Sequence, residues 1–143
     1  MEVTAHYLGG SKFEVAARGH RVMCDQPLDN GGTDAGMSPP ELLLASLGTC
    51  AGYYAAQYLN TRGLPAEDLK VRVSAEKAAQ PARLDSFEIE VISAGLDERH
   101  QAGILRAVKA CLIHNTLLGA PGIKVSVADA IAATIGNGTG PGT

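Results

Sequence analysis

The chain has no tryptophan, two phenylalanines and four tyrosines. Proteins that hold single-stranded nucleic acid stack its bases on aromatic rings, so the material for such a platform is missing. Positive charge does not make up for it. The 12 Lys and Arg are scattered and outnumbered by 15 Asp and Glu, leaving a net charge of −3. A nucleic-acid surface needs clustered basic residues, so no nucleic-acid partner is expected. Unbroken apolar runs are also absent. The apolar stretch from Leu42 to Leu59 is interrupted by Ser46, Gly48, Thr49, Gly52 and Gln57, which makes it a poor membrane span. No signal peptide is visible, because Met1-Glu2-Val3-Thr4 leads directly into a strand pattern. A cytoplasmic protein without a membrane partner is the expectation.

Cysteine is scarce and odd in number: Cys24, Cys50 and Cys111, with no C-x-x-C spacing. That implies no disulfide framework, since cytosolic thiols are normally kept reduced. Cytosolic cysteines that do oxidise are usually catalytic or redox-sensing. The four histidines, His6, His20, His100 and His114, show no ligand spacing with one another or with cysteine. Zinc sites need three or four convergent ligands, so no metal is expected. The glycine-rich stretch from Gly31 to Gly36 has no Walker lysine and reads as a flexible loop.

What remains is a globular composition, 45% hydrophobic and 19% charged, on a chain long enough for one core and too short for two. One domain over 1–135 and a mobile tail over 136–143 are predicted. Val3 to Leu8, Lys12 to Ala17 and His20 to Cys24 alternate apolar and polar side chains, as a strand meander does. Turn chemistry makes Pro27 to Met37 a loop. Ser38-Pro39-Pro40-Glu41 then fits a capping box, with Ser38 the cap and Glu41 three positions on.

The helix that follows is predicted to run to about Asn60. It is apolar on most sides and should be central, with small residues that would let another helix approach closely. Strands over Leu69 to Glu76 and Ser86 to Ser93 come next, joined near Gln80-Pro81-Ala82. A second helix from Asp97 to about His114 and a last strand from Ile123 to Ala128 complete an α+β order. A 22-residue apolar helix is hard to cover in so small a monomer, so dimerisation through it is expected.

The stretch Gly36-Met37-Ser38-Pro39-Pro40-Glu41-Leu42-Leu43-Leu44-Ala45-Ser46-Leu47-Gly48-Thr49-Cys50 resembles the signature of the OsmC/Ohr family. There a Pro- and Glu-containing helix start leads to a cysteine. A second cysteine follows about sixty residues on, then a short connection and a final strand. Cys111 with Leu112-Ile113-His114-Asn115, then Ile123-Lys124-Val125, is similar. The resemblance implies antiparallel strand meanders with two helices, the long central helices packed in an intertwined homodimer. It implies reduction of organic hydroperoxides with two thiols and no cofactor, and recycling by a dithiol such as a lipoylated protein.

In such chemistry Cys50 would attack the O–O bond and become a sulfenic acid, and Cys111 would condense with it to a disulfide. On the first helix, Leu43, Leu47, Tyr54 and Tyr58 share the face of Cys50 by helical spacing. On the second, Ile104 and Val108 share that of Cys111. The resulting pocket would be greasy, with tyrosine hydroxyls near it.

An apolar setting raises a thiol pKa, so a positive partner is called for. Cys50 lies mid-helix, beyond the help of that helix's own N-terminus. The family's peroxidase branch places an Arg near the first hairpin and a Glu at the helix start. Here the hairpin reads Gly9-Gly10-Ser11-Lys12-Phe13, which leaves Lys12, Arg18 or Arg21 as candidate partners. Glu41 stands one position past its expected place. About 13 Å of helical rise separates Glu41 from Cys50, so contact within one helix is excluded. The candidate catalytic set is therefore Cys50, Cys111, Glu41, Lys12 and Arg18. A non-peroxidatic relative that binds an apolar ligand at the dimer interface is the alternative reading. His114, three residues after Cys111, is a further candidate for tuning that thiol.

Overall fold

The computed structural model describes residues 1–130; the tail assigned to 136–143 lies outside them. The architecture is α+β with antiparallel strands, as the residue patterns require. Strands β1 (Thr4–Gly9), β2 (Lys12–Ala17) and β3 (His20–Cys24) form one antiparallel sheet in that order. The first turn uses Gly9 and Gly10 at φ +103° and +59°, a backbone region open mainly to glycine. Strands β4 (Lys70–Ala79) and β5 (Ala82–Ile92) form a separate two-stranded ribbon. Both run longer than their alternation alone indicated.

Helix α1 spans Pro39–Asn60. The capping box is in place, with Glu41 Oε2 accepting from the Ser38 N–H at 2.7 Å and from Ser38 Oγ at 2.9 Å. The core lies between α1 and its neighbours. Ala51, Ala55 and Leu59, four residues apart on one face, are fully buried against Ile104 and Val108. The small residues of α1 admit more than a second helix. Gly48 and Gly52 face Val73 and Val71 of β4, and an added Cβ would stand 3.0 and 3.4 Å from their methyl groups. The β4–β5 ribbon therefore lies directly on α1. By contrast, the β1–β3 sheet makes no extended packing against any described helix.

Two expectations need correction. The second helix is two helices: α2 (Glu98–Val108) ends at Lys109, and α3 (Leu112–Leu118) begins after Cys111. Hence three α-helices stand among the described residues where two were predicted. No Gly or Pro marks the break. It arises because Cys111 leaves the helical region (φ −57°, ψ 124°) and serves as the cap of α3.

The segment from Ile123 to Ala128 forms no strand, although its side chains alternate. A strand exists only by hydrogen bonding to a neighbour, and no described edge of the chain reaches it. Ile123, Val125 and Val127 are consequently 85 to 98% exposed.

The loop from Pro27 to Met37 is anchored at its base. The buried Asp25 carboxylate accepts from Ser11 Oγ (2.5 Å), Thr33 Oγ1 (2.7 Å) and the N–H groups of Gln26, Thr33 and Ala35. The hydroxyls of Ser11 and Thr33 and two of those N–H groups hold this carboxyl far below the usual range, against the opposing effect of burial. The loop contains a short 3-10 turn at Leu28–Asn30 and delivers the chain to Ser38.

Candidate active site

Helix α1 carries Cys50 at its middle, and the α2–α3 junction carries Cys111 opposite it. The two thiols are within hydrogen-bonding reach, and both are free. Cys50 is half-buried and Cys111 is fully buried. Because Cys111 is a cap and not a helical residue, its sulfur accepts from the His114 N–H at 3.4 Å. The same geometry leaves the first N–H groups of α3 without partners inside their own helix, and those of Leu112 and Ile113 point at Cys50.

The two thiols are driven in opposite directions. Burial pushes the Cys50 thiol up. The hydrogen bond from the Cys111 thiol and the Ile113 and Leu112 N–H groups outweigh it, so Cys50 ionises below the ordinary thiol range. Burial pushes Cys111 up, and the hydrogen bond to Cys50 and the Cys50 charge push the same way. The His114 and Ile113 N–H groups only partly offset this. The arrangement is that of a nucleophilic thiolate beside a protonated thiol held in reserve.

Help for Cys50 from a helix N-terminus comes from outside its own helix, from the first turn of a different one. The sequence left no signal for this, since the pattern from Asp97 to His114 reads as one helix. Among the described residues no Lys or Arg acts on the Cys50 thiol. Lys12 lies on β2. Arg18 occupies the β2–β3 turn at φ 51°. Arg21 pairs with Glu14 at 2.6 Å. Glu41 is engaged in the cap with Ser38, whose N–H and hydroxyl depress its carboxyl. The structure thus brings together Cys50 and Cys111 and places Glu41, Lys12 and Arg18 elsewhere.

A groove of about 640 Å³ opens beside Leu47, one turn before Cys50, and His114, three residues after Cys111; Leu43 of α1, Leu84, Asp85, Ser86, Phe87 and Ile89 of β5, and Leu117 and Leu118 of α3 complete its lining, which includes neither thiol. Leu43 and Leu47 lie two and one helical turns before Cys50, on its face, as the spacing indicated. The β5 wall was not foreseen, since nothing in the sequence ties that strand to the first cysteine. Tyr58 serves packing instead. Its hydroxyl meets His100 Nδ1 at 3.2 Å, and the Arg62 guanidinium stacks over its ring at 3.8 Å. Ile104 and Val108 likewise belong to the core.

Among the described residues, no cluster of His, Cys, Asp or Glu is placed to hold a metal ion. None of the described helices is long and apolar enough to cross a membrane.

Comparison with known proteins bears on the family and the fold. The family model described as OsmC-like protein matches residues 31–127, which include both cysteines. No curated protein matches closely enough to count as a relative. Among solved structures, the chain is similar to a putative osmotic stress induced and detoxification response protein from Psychrobacter arcticus. The TM-score is 0.73 and the identity 20%, over 80% of this chain and 85% of that one. An OsmC-like protein from Mycoplasma pneumoniae gives a TM-score of 0.69 at 22% identity, covering 82% and 86%. An organic hydroperoxide resistance protein from Legionella pneumophila gives 0.57 at 18% identity, covering 82% and 89%. Identities of this size establish a shared fold and nothing finer.

Proposed function

The chain belongs to the OsmC-like family, and from that premise we propose that it is a thiol peroxidase that reduces organic hydroperoxides through Cys50 and Cys111. The observation that carries this reading is the pair itself: two free thiols in hydrogen-bonding reach, one pushed toward the thiolate and the other away from it. The Cys50 thiolate attacks the terminal oxygen of the peroxide. The O–O bond breaks, an alcohol leaves after protonation, and Cys50 becomes a sulfenic acid. The Cys111 sulfur then displaces that oxygen as water, and a disulfide forms. A dithiol reductant, of which a lipoylated protein is one example, returns both thiols by exchange. The apolar groove supports an organic substrate over hydrogen peroxide, because burying an alkyl or aryl group there is favourable.

The working unit is proposed to be a homodimer. Support comes from the apolar side chains left open on one chain: Ile123, Val125 and Val127 in the segment after α3, and Tyr7, Phe13 and Val22 on the β1–β3 sheet. Such an alternating segment gains its hydrogen bonds by adding to a sheet edge of a second copy. Light scattering on wild type and on Ile123→Asp/Val125→Asp tests this. A dimer that the double substitution dissociates is expected, and a monomeric wild type rejects it.

A second reading, binding of an apolar ligand without turnover, draws on the same groove and on the lack of a described Lys or Arg acting on Cys50. Peroxide consumption with a small dithiol separates the two. Wild type should turn over and Cys50→Ser should not; with the dithiol left out, Cys111→Ser should stop after one equivalent with a sulfenic acid that dimedone traps. Consumption that Cys50→Ser leaves intact removes the peroxidase reading.

A further inference from the structure

His114 is the group near the two thiols that the chemistry above leaves unused. Its ring forms part of the wall of the apolar groove, beside Leu47, Phe87 and Leu117. It stands on the turn that carries Cys111, and its backbone N–H already holds the Cys111 sulfur. Its Nδ1 atom is buried and has no hydrogen-bond partner among the described residues. An unpartnered buried polar atom is uncommon in a folded chain and calls for a reason. The other polar residues lining the groove are Asp85, whose carboxylate accepts from Arg83 at 3.1 Å, and Ser86; the rest are hydrocarbons. Among these side chains the imidazole is the one suited to hand a proton to a species formed in that space.

Opening a hydroperoxide forms such a species. When the Cys50 sulfur takes the terminal OH, the electron pair of the O–O bond goes to the alkyl-bearing oxygen. The alkoxide so produced is a strong base in an apolar space. Building on the peroxidase reading, we propose that His114 is a catalytic acid that delivers a proton to this alkoxide as the O–O bond breaks. Thiolate, hydroperoxide and imidazolium become sulfenic acid, alcohol and neutral imidazole. The neutral imidazole then takes the proton of the Cys111 thiol as its sulfur attacks Cys50, and passes it to the departing hydroxide, which leaves as water. After dithiol reduction, the Cys50 thiol returns a proton to His114, which restores thiolate and imidazolium. No metal or further oxidant enters, and histidine is the side chain suited to giving and taking a proton near neutral pH.

Leaving-group acidity provides the test. A peracid expels a carboxylate, which needs no proton, whereas tert-butyl hydroperoxide expels a poor leaving group. His114→Ala and His114→Gln both keep the backbone N–H that holds Cys111. Each is expected to lose about 100-fold in the rate of Cys50 oxidation by tert-butyl hydroperoxide. Oxidation by peracetic acid should stay near the wild-type rate, and added imidazole should restore part of the alkyl rate in His114→Ala. Equal losses with both oxidants in both variants, or no loss with the alkyl hydroperoxide, overturn the acid role alone. A wild type whose Cys50 is oxidised by neither reagent overturns the peroxidase reading and this role together.

Discussion

Replacing Leu112 by proline tests whether backbone N–H groups make Cys50 reactive. Leu112 is the first residue of α3 and its side chain is 60% exposed, so truncating it removes little packing. Proline is well tolerated at a first helical position, because the N–H it lacks has no partner within the helix. The preceding residue must be extended, and Cys111 at φ −57° and ψ 124° already is. The substitution therefore deletes one N–H directed at Cys50 and leaves the fold in place. A hydrogen bond to a charged group contributes about 1.5–3 kcal/mol. The Leu112 N–H is the smaller of the two backbone contributions and Cys50 is half-exposed, so the low end applies. That corresponds to a thiolate population about tenfold smaller near neutral pH. Stability should hold or rise by about 0.4–1 kcal/mol, through restriction of the unfolded chain. Alkylation of Cys50, resolved by mass spectrometry across a pH series, reads the thiolate, and denaturant unfolding reads the stability. A rate-against-pH curve for Cys50 that superimposes on wild type, in a folded variant, would refute the claim that these N–H groups tune the thiol.

The same alkylation series on wild type should show Cys50 reacting below the range of a free thiol and Cys111 only above it, since the first is depressed and the second raised; simultaneous labelling would contradict that. Asp25 is depressed in the folded state, so its contribution to stability is present above the ordinary carboxylate range and fades as pH falls through that range toward the lower folded value. Asp25→Asn should accordingly lower the thermal midpoint at neutral pH and flatten its decline in acid, as calorimetry at several pH values would record. Gly103→Ala should destabilise despite helix propensity, because the new Cβ would stand 2.0 Å from the Tyr58 hydroxyl and 2.3 Å from its ring carbon. Displacing Tyr58 costs about 1–3 kcal/mol, more than the roughly 1 kcal/mol gained on replacing a helical glycine; a denaturation midpoint at or above wild type counts against it.

Local chemistry was legible where it is local. The capping box at Ser38 and Glu41, the extent of α1 and the three-stranded meander follow from hydrogen bonds and periodicities set within a few residues. The family signature around Cys50 was legible for the same reason, being one continuous stretch. The expectation of a cation beside Cys50 rested on a sound premise, that a thiolate in apolar surroundings needs stabilising. The described stabilisers are the Cys111 thiol and two N–H groups; every residue except proline carries an N–H, and no side-chain pattern can announce which of them will serve.

The pairing of Cys50 with Cys111 is carried by folding, because it needs α1 to lie against the α2–α3 junction, some sixty residues away in the chain. The break at Cys111 depends on that packing too, since Asp97 to His114 has no internal residue that ends a helix. The segment from Ile123 to Val127 gives the converse lesson. Its alternation is a property of the sequence, but a strand is a property of two neighbours, and one described chain supplies only one of them. Residue order by itself determined the elements whose hydrogen bonds close within themselves. Tertiary structure decided which sulfur meets which N–H, because that energy depends on distances no short stretch of chain contains.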